Sequence, residues 1–369
     1  MNSYDWSAFR DQFPALKNRT YLNTAGGGVM ARKVADAAHQ YYNESVEQGD
    51  VFWGQWLVRS EKDRHFVAHF IGARPESVAF LQNASLGLNI VARSFPSESR
   101  CLAVRPEFPS CTTPFIRAGH QMSFIETTLD GFVDAEIIES ALKEHPVDVF
   151  ILSSVQFANG FRADLASIGA VCRRFGVSFV VDATQSIGAF DIHLERDLID
   201  ALVFSGYKWA TAGYGNAVLA TGSGWSNSDP PLVGWRSAKR AYDLENDRLD
   251  LHKEGIGHEM GHPPFPGIFA MAAALRVLSE PGIHQISERI QALVGYLRSG
   301  LEDKGIRMRS NGNPACSSGI VLAEVKDADS VKQQLQEQQI WVTARQGGLR
   351  VSIHAYNAAE DVERFLTAL

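Results

Sequence analysis

The stretch Asp200-Ala201-Leu202-Val203-Phe204-Ser205-Gly206-Tyr207-Lys208-Trp209 joins a short apolar run to a lysine four residues beyond it. An apolar run of this length predicts a buried strand that ends just before Lys208. The preceding apolar run, Val177 to Val181, is followed at once by Asp182. Because ligands bind beyond the carboxyl ends of strands in open α/β sheets, the two runs predict a site that contains a lysine and an aspartate.

A lysine and a carboxylate at neighbouring strand ends indicate pyridoxal phosphate as a cofactor. The amine that forms a Schiff base with this molecule must lie where it can lose its proton. A carboxylate must keep the pyridine nitrogen protonated, so that the ring can accept electrons. We therefore predict that Lys208 and Asp182 are catalytic residues.

The composition is that of a folded protein with no affinity for nucleic acid. The 369 residues are 45% hydrophobic and 21% charged, which suffices for a large core and for about two domains. The net charge is -7 at pH 7 and no long cluster of lysine and arginine is present, so nucleic acid is not an expected partner. The four cysteines form no C-x-x-C pair, and neither a disulfide framework nor a metal site is expected.

The sequence does not indicate attachment to a membrane either. No run approaches the roughly 18 apolar residues that a membrane span needs. The first residues also lack the basic and then apolar pattern of a signal peptide. We therefore expect no membrane partner and a cytoplasmic location.

Short apolar runs alternate with helix-length amphipathic segments over much of the chain. The expected strands of this region are Val78 to Leu81, Cys101 to Val104, Val147 to Leu152, Val177 to Val181 and Ala201 to Phe204. Their alternation with helices predicts a three-layer α-β-α domain with a mainly parallel sheet, over residues 21–262. Residues 263–369 mix helical and strand-like segments, and together with residues 1–20 they are expected to form a smaller α+β domain.

Three short motifs point to other functions and are disfavoured. His258-Glu259-Met260-Gly261-His262 matches the H-E-x-x-H zinc signature, but neighbouring glycines weaken a helix there and Pro263 disfavours a helical His262. Ser205-Gly206-Tyr207-Lys208 fits the S-x-x-K motif of penicillin-recognising enzymes, but no Lys-Thr-Gly segment accompanies it. Gly26-Gly27-Gly28 does not complete G-x-G-x-x-G, so a nicotinamide dehydrogenase is a less favoured alternative.

The other expected strand ends also carry groups that suit pyridoxal phosphate. Asn83-Ala84-Ser85 follows the first strand and opens a helix, whose free N–H groups and dipole can hold a phosphate. The same residues would also serve as an ordinary helix cap. Phe108 follows the next strand and can stack on a pyridine ring. Ser153-Ser154 follows the third, where polar groups can bond to the cofactor's phenolic oxygen or to a substrate.

As an ordered set, these segments resemble the class V aminotransferase family of fold-type I pyridoxal-phosphate enzymes. The family includes cysteine desulfurases, kynureninases and isopenicillin epimerase-like proteins, and the resemblance covers nearly the whole chain. It is carried by Tyr21-Leu22-Asn23-Thr24-Ala25, Asn83-Ala84-Ser85-Leu86-Gly87, Val181-Asp182-Ala183-Thr184-Gln185-Ser186, Phe204-Ser205-Gly206-Tyr207-Lys208 and Leu349-Arg350-Val351-Ser352-Ile353. The resemblance implies the pyridoxal-phosphate transferase fold of type I.

The resemblance also implies a role for each motif residue. Asp182 bonds to the pyridine nitrogen, Gln185 contacts the phenolic oxygen, and Lys208 forms the Schiff base. Ser205 and Tyr207 help to hold the phosphate. The remaining expected cofactor contacts are Ala84, Ser85, Phe108 and Ser154.

The expected substrate contacts come from both ends of the chain. By the resemblance, Arg350 grips the substrate carboxylate, for which a planar guanidinium offers two parallel hydrogen bonds. Arg345 is a second cation that either reads an acidic or extended substrate or pairs on the surface. Asn23 and Thr24 are expected near the substrate entrance.

The family is commonly dimeric, with its active site at the subunit boundary. Glu259 to Pro263 resembles the glycine-threonine stretch that reaches the phosphate of the neighbouring subunit. His262 stands in place of the threonine and can also donate a hydrogen bond. We therefore expect a homodimer with a shared active site, in which His262 is a further cofactor contact.

The chain departs from cysteine desulfurases at one decisive position. Those enzymes attack the substrate's sulfur with a loop cysteine upstream of the carboxylate-binding arginine, but Val325 to Arg350 contains no cysteine. A mechanism that forms a persulfide on the enzyme is therefore disfavoured. Cys111 and Cys316 lie elsewhere and are expected to be inert thiols.

The expected reaction begins when an amino acid displaces Lys208, which then removes the α-proton. Transamination, loss of a β-substituent and epimerisation all share this step. We favour an aminotransferase acting on amino acid and keto acid substrates, because the sequence identifies no specialised acid or thiol. A carbon–sulfur or carbon–carbon lyase and an amino-acid epimerase are the alternatives. A catalytically silent protein is disfavoured, because Lys208, Asp182 and Arg350 are all present.

Overall fold

The structure is a computed structural model that describes residues 4–128, 130–225, 229–247 and 249–369. Its helices are α1 Trp6–Asp11, α2 Arg32–Gln48, α3 Trp53–Phe70, α4 Ala84–Ser94, α5 Pro109–Arg117, α6 Ala135–Glu144, α7 Leu165–Phe175, α8 Phe265–Ser279, α9 Ile283–Asp303, α10 Ala328–Glu337 and α11 Ala359–Ala368. Its strands are β1 Thr20–Tyr21, β2 Val78–Leu81, β3 Arg100–Arg105, β4 Gln121–Glu126, β5 Val149–Ser153, β6 Ser178–Asp182, β7 Ala201–Ser205, β8 Ala217–Thr221, β9 Ile320–Ala323, β10 Ile340–Trp341, β11 Thr343–Arg345 and β12 Gly348–Ser352.

A seven-stranded sheet in the order β2-β8-β7-β6-β5-β3-β4 dominates the fold. Strands β4, β3, β5, β6 and β7 pair in parallel, and β8 runs antiparallel to both of its neighbours. The predicted mainly parallel sheet is thereby confirmed. In its register Ser153 lies beside Asp182, and Asp182 lies beside Val203. The ends of β5, β6 and β7 therefore bring their following residues to one edge of the sheet.

Both faces of this sheet are buried, which explains why its strands read as continuous apolar runs. In β5, Phe150 and Leu152 join one apolar cluster, whereas Val149 and Ile151 join another. Because successive side chains of a strand point to opposite faces, the two clusters lie on opposite sides of the sheet. Helices α7 and α8 contribute to the first cluster, and α4 and α5 contribute to the second. This is the predicted three-layer α-β-α arrangement.

A smaller antiparallel sheet has the strand order β11-β12-β9. Strands β11 and β12 form a hairpin whose two turn residues, Gln346 and Gly347, have φ angles of 49° and 72°. Positive φ at both positions is what a two-residue type I′ turn requires. The hairpin is consequently tight, and its register fixes where the arginines of both strands project.

The division into residues 21–262 and residues 1–20 with 263–369 stays a prediction. Strand β1 pairs in parallel with β10, which joins the start of the chain to its C-terminal part. Helix α8, however, is tied to α3 by Arg276, whose Nη2 lies 2.7 Å from Oδ1 of Asp63. Residues 1–3, which belong to the predicted small domain, lie outside the described residues.

Two strands of the large sheet are not predicted by the sequence patterns. Strand β4 is an edge strand of mixed polarity, with exposed and half-buried residues in alternation, so no apolar run marks it. Strand β8 is fully buried, but it lies outside the βα alternation because it pairs antiparallel to its neighbours. Within the described ranges, no helix is both long and apolar enough to cross a bilayer.

Candidate active site

A cavity of about 190 Å³ lies at the sheet edge where β5, β6 and β7 end. The strand ends and the starts of α4 and α5 supply its walls. The residues that line it are Asn83, Ala84, Ser85, Phe108, Ser110, Ser153, Phe157, Asp182, Thr184, Gln185, Ser205, Tyr207 and Lys208. Eight of the ten predicted cofactor contacts are among them, because the shared strand edge gathers residues that are far apart in sequence.

Lys208 lies in this cavity with only 7% of its surface exposed. Burial lowers the pKa of Lys208 from 10.5 to about 8; the charge of Asp182 opposes this effect, and the charge of Arg350 adds to it. The backbone at Gly28 lies against the segment that carries Lys208 and holds it in place. The N–H of Gly28 donates a hydrogen bond to the carbonyl oxygen of Tyr207 at 2.7 Å. A Cβ on Gly28 would lie 2.0 Å from the carbonyl oxygen of Lys208, so this position requires glycine.

Asp182 ends β6 and is 5% exposed. Its Oδ1 accepts the backbone N–H of Thr184 at 2.8 Å, which fixes the orientation of the carboxylate. The hydroxyl of Thr184 in turn accepts the backbone N–H of Ser205 at 3.1 Å. Thr184 therefore links the two strand ends that carry Asp182 and Lys208. Its role is not predicted, although it lies within the motif that identifies Asp182.

The N-terminus of α4 forms one wall of the cavity with hydroxyl groups around it. Asn83 caps the helix, since its side chain accepts the N–H of Leu86 at 2.9 Å. The N–H of Ala84 donates to Oγ of Ser205, also at 2.9 Å. Ser85 and Ser110 exchange a hydroxyl hydrogen bond of 2.9 Å. Hydroxyl donors and a positive helix end form a suitable environment for a phosphate.

Phe108 lies on a side wall, with its ring centroid 5.5 Å from Nζ of Lys208. It meets the ring of Phe157 edge to face, with centroids 5.4 Å apart. Behind it, Glu107 accepts hydrogen bonds from the backbone N–H and the hydroxyl of Ser153, at 2.8 and 2.6 Å. Burial raises the pKa of Glu107, and these hydrogen bonds counteract the rise. Glu107 thus anchors the segment that carries Phe108.

Gln185 and Tyr207 reach the cavity but also make firm contacts within the protein. Oε1 of Gln185 accepts the indole N–H of Trp209 at 2.8 Å, and its Nε2 donates to the carbonyl oxygen of Ala25 at 3.2 Å. The ring of Tyr207 stacks on Tyr214, with centroids 4.4 Å apart. These contacts orient both side chains before any ligand binds.

Ser154 is not brought to this cavity, and Ser153 lies there instead. Ser154 donates to the carbonyl oxygen of Asp182 at 3.2 Å and lines a separate cavity of about 530 Å³ beside Arg162. Strand β5 continues to Ser153, one residue beyond the predicted end, and side chains alternate along a strand. The alternation points Ser153 and Ser154 in opposite directions.

The predicted entrance residues differ in their positions. Thr24 is fully buried and its hydroxyl bonds to that of Tyr356 at 2.7 Å, so it does not line the cavity. Asn23 accepts the hydroxyl of Thr343 at 2.5 Å and thereby contacts the hairpin β11-β12. Asn23 consequently lies close to the predicted carboxylate-binding strand.

Arg350 and Arg345 both contact Phe157 in the cavity wall. Nη1 of Arg350 donates to the carbonyl oxygen of Phe157 at 2.8 Å, and its buried Nε has no hydrogen-bond partner among the described residues. The guanidinium carbon of Arg345 lies 4.6 Å from the centroid of the Phe157 ring. Burial lowers the pKa of Arg350 to about 10, and the charge of Arg345 acts in the same direction. The sequence patterns predict no role for Phe157.

His262 lies away from the cavity of its own chain and is exposed. Its ring contacts Trp53 and Trp235, with centroid distances of 5.2 Å in both cases. The first histidine of the H-E-x-x-H motif, His258, is the last residue of a short 3-10 helix. The two histidines of the motif therefore do not share a face of an α-helix. The glutamate of that motif, Glu259, pairs with buried Arg64 at 2.6 Å.

The side chains of this cavity fit pyridoxal phosphate. A buried amine with a lowered pKa is chemically able to condense with an aldehyde, and Asp182 lies close enough to influence that pKa. Phe108 supplies an aromatic face, and the α4 terminus supplies phosphate donors. The unpartnered Nε of Arg350 is an orphaned donor that a substrate carboxylate would satisfy.

Comparisons with known proteins agree with this fold. The family model for class-V aminotransferases matches residues 20–365. A probable cysteine desulfurase from Pyrococcus abyssi is 26% identical over 98% of this chain and 96% of its own length. The apo structure of a cysteine desulfurase from Thermococcus onnurineus NA1 has a TM-score of 0.89 at 24% identity, covering 100% of this chain and 98% of the other. The cystine C–S lyase C-DES, in complex with its product cysteine persulfide, has a TM-score of 0.87 at 23% identity, over 96% and 98%.

Proposed function

Since the chain belongs to the aminotransferase class-V family, we propose that it is a pyridoxal-phosphate-dependent carbon–sulfur lyase that eliminates a sulfur group from the β-carbon of an amino acid. The names of two similar proteins, a probable cysteine desulfurase and a cystine C–S lyase, both describe sulfur chemistry on such substrates. The observation that carries the proposal is that no cysteine is among the described residues that line the cavity.

A thiol is needed only if the enzyme itself takes up the sulfur, and the thiolate is then the attacking form. Cys111 is fully buried, and burial together with the charges of Glu107 and Asp182 raises its pKa well above the ordinary value. Cys316 lines the separate 530 Å³ cavity. Neither thiol is placed to attack, so elimination is the favoured route for breaking the carbon–sulfur bond.

We assign the cofactor contacts as follows. Lys208 would hold pyridoxal phosphate covalently, and Asp182 would face the pyridine nitrogen. Phe108 would cover one side of the ring, and Gln185 and Tyr207 would contact its polar edge. The phosphate would lie at the α4 N-terminus, beside Ala84, Ser85 and Ser205. When bound, this cofactor withdraws electrons from the α-carbon of an amino acid.

The residues of the chain then act on the amino acid. Arg350 binds the α-carboxylate and so orients the α-hydrogen toward Lys208. Nζ of Lys208, whose pKa lies near 8, removes the α-proton as a general base. The electron pair left on the α-carbon forms a double bond to the β-carbon, the bond between the β-carbon and sulfur breaks, and the electron pair of that bond leaves with sulfur. A thiolate of low basicity can leave without being protonated by an acid of the enzyme. The cavity is consistent with such a leaving group, because Asp182 is the only carboxylic acid among the described lining residues.

An aminotransferase is the second candidate. The matching family model carries this name, and transamination needs no acid or thiol beyond the cavity's own Lys208. In that reaction Lys208 would return the proton to a different carbon and no sulfur would leave. The amino acid and keto acid substrates of the sequence-based prediction belong to this candidate.

The test follows the products of the loaded enzyme with L-cysteine, L-cystine, S-alkylcysteines and L-alanine plus pyruvate. We expect pyruvate and ammonia from the sulfur substrates, with hydrogen sulfide released from L-cysteine, cysteine persulfide from L-cystine and a thiol from the S-alkylcysteines. L-alanine as the product of L-cysteine would contradict elimination and indicate sulfur uptake by the enzyme. Transfer of the amino group to a keto acid without sulfur release would establish the second candidate instead. Lys208→Ala is the control for uncatalysed release.

We also propose a homodimer in which His262 contacts the phosphate bound by the partner. The proposal is supported by the exposure of His262 and by its absence from the described residues that line the cavity of its own chain. Mixing inactive Lys208→Ala with His262→Ala should restore about a quarter of wild-type turnover, because random pairing leaves that share of sites intact. A fully active monomer in sedimentation, or no restoration on mixing, would contradict the shared site.

A further inference from the structure

We propose that the substrate carries a second carboxylate, distant from its α-carbon, and that Arg345 is the specificity-determining residue that binds this group. The inference deepens the proposed function, on which it rests. It assigns the substrate to amino acids whose β-sulfur is bonded to an acidic group. Four observations carry it, namely strand register, a shared aromatic contact, the missing ion-pair partners and the geometry of guanidinium recognition.

The register of the hairpin places both arginines on one face. Thr343 pairs with Arg350, and Arg345 pairs with Gly348. Side chains two residues apart on a strand share a face, and directly paired residues also share a face. Arg345 and Arg350 are therefore diagonal neighbours, for which the Cα separation is typically about 7–8 Å. The tight turn after Arg345 makes this spacing rigid.

Phe157 fixes both cations at the cavity wall. Arg350 bonds to its carbonyl oxygen at 2.8 Å, and Arg345 lies over its ring at 4.6 Å. Phe157 itself contacts Phe108, whose ring centroid is 5.5 Å from Nζ of Lys208. The guanidinium of Arg345 is thus connected by two aromatic rings to the reacting amine.

Neither arginine has an acidic partner within the described residues. Arg350 is 3% exposed and Arg345 is half-buried, yet no carboxylate of residues 4–128, 130–225, 229–247 or 249–369 lies within ion-pair distance of either guanidinium. Some arginines elsewhere are paired even when exposed, for example Arg100 with Asp148 at 2.6 Å. The unneutralised charge of Arg345 also lowers the pKa of Arg350 and of Lys208. A buried cation without a partner is costly, and an anionic ligand relieves that cost.

One carboxylate is satisfied by the fork of one guanidinium. An amino acid with only an α-carboxylate would pair with Arg350 and leave Arg345 without a partner. A second carboxylate beyond the sulfur would neutralise Arg345 as well. This arrangement discriminates by charge at the far end of the substrate and leaves the chemistry at the α-carbon unchanged.

The test uses two substrates that differ by one charge, S-carboxymethyl-L-cysteine and its carboxamide, S-carbamoylmethyl-L-cysteine, with the carboxyethyl pair for a longer reach. We expect wild-type kcat/KM to favour the carboxylate by about 10- to 100-fold, the usual weight of a charge-assisted hydrogen bond. Arg345→Met should abolish the preference with little change for the carboxamide, and Arg345→Lys should retain part of it. Arg117→Met, which alters an exposed arginine at the end of α5, should retain all of it.

A binding measurement separates this inference from the proposed reaction. Calorimetric titration of the holoenzyme with glutarate and with glutaramate, neither of which can react, should show tighter binding of glutarate that Arg345→Met removes. Such a result without any elimination would leave the inference intact and reject the lyase. Equal use of both members of each substrate pair by the wild type, or an equal loss for both in Arg345→Met, would overturn the inference.

Discussion

Cys111 lies against Asp182, with Sγ of the thiol 3.5 Å from Oδ2 of the carboxylate. The thiol acts as the donor in this contact, so the geometry requires it to keep its proton. Burial and the nearby charges of Glu107 and Asp182 raise its pKa, which acts in the same direction. A cysteine can therefore lie next to Asp182, buried behind the cavity lining, without being a nucleophile.

The first prediction concerns this thiol. Cys111→Ser preserves a donor to Asp182, and we expect sulfur release to stay within about threefold of wild type, because no covalent role is lost. Cys316→Ser should behave likewise. Turnover is measured as released thiol and pyruvate. A loss of sulfur release in Cys111→Ser, with cofactor content unchanged, would show that the enzyme thiol takes part.

The second prediction concerns the covalent link to the cofactor. Borohydride reduction of the wild type should fix the cofactor mass on the tryptic peptide that contains Lys208, and Lys208→Ala should show no fixed adduct. Lys62→Ala, which alters an exposed lysine of α3, should retain it. Mass spectrometry checks the result, and an adduct that survives Lys208→Ala would reject the assignment.

The third prediction concerns pH. Only the neutral amine condenses with an aldehyde, so loading of the apoprotein should rise with pH around a midpoint near 8. At pH 7 the neutral fraction is roughly 300-fold larger than for an amine of ordinary pKa. Arg350→Met removes a charge that lowers the pKa of Lys208, so its midpoint should move upward. Absorbance during loading measures both midpoints; an unchanged midpoint would contradict the electrostatic coupling.

The same titration affects stability. The pKa of Lys208 is lower in the folded apoprotein than in the unfolded chain, so the unfolded chain binds more protons between pH 8 and 10.5. The contribution of Lys208 to the free energy of unfolding should therefore be least favourable below pH 8 and improve as pH rises through that interval. Urea unfolding of wild type and Lys208→Met at several pH values gives the difference in their free energies of unfolding, which should change with pH in this way. If the amine is solvated in the folded protein, this difference should not depend on pH.

The fourth prediction concerns Asp182. Asp182→Asn retains an acceptor for the N–H of Thr184 but loses the charge that would stabilise a protonated pyridine nitrogen. We expect turnover to fall by at least about 100-fold while cofactor content stays near wild type. Asp191→Asn, which alters an exposed aspartate, is the matched control. Equal losses of cofactor and turnover would indicate a structural role only.

The fifth prediction concerns the buried ion pair between Arg64 and Glu259. Both side chains are at most 5% exposed, and Glu259 also accepts the backbone N–H of Phe80 at 2.9 Å. Glu259→Gln should cost about 3–5 kcal/mol of unfolding free energy, because it removes the buried counter-charge of Arg64 and leaves only the exposed carboxylate of Glu61 as its partner. Chemical denaturation measures this change. A double replacement, Arg64→Met with Glu259→Met, should be less destabilising than the single change.

Much of the site could be predicted because its residues follow apolar runs. Lys208 and Asp182 were found from this relationship, since a parallel sheet gathers strand ends at one edge. The choice of Ser154 over Ser153 shows the limit of this reasoning. Successive side chains of a strand face opposite sides, so the choice between Ser153 and Ser154 depends on the register of β5, which a run of apolar letters does not fix.

Other contacts depend on tertiary packing that no local pattern encodes. Thr24 lies in a motif that suggests the substrate entrance, but the hydroxyl of Tyr356 binds it within the core. Strand β8 pairs with β2 and β7 across long sequence separations, and its five residues carry no helical or turn signal of their own. Phe157 gains its position from the two arginines, which are almost 200 residues away in sequence.

The two-residue turn between β11 and β12 determines how sulfur would leave the protein. Gln346 and Gly347 close the hairpin directly, so no extended arm projects there that could carry a bound atom outward to another macromolecule. In the proposed reaction the sulfur is therefore released as a small molecule that diffuses away, and it is not carried covalently on the enzyme. Any acceptor in the cell would have to capture it from solution.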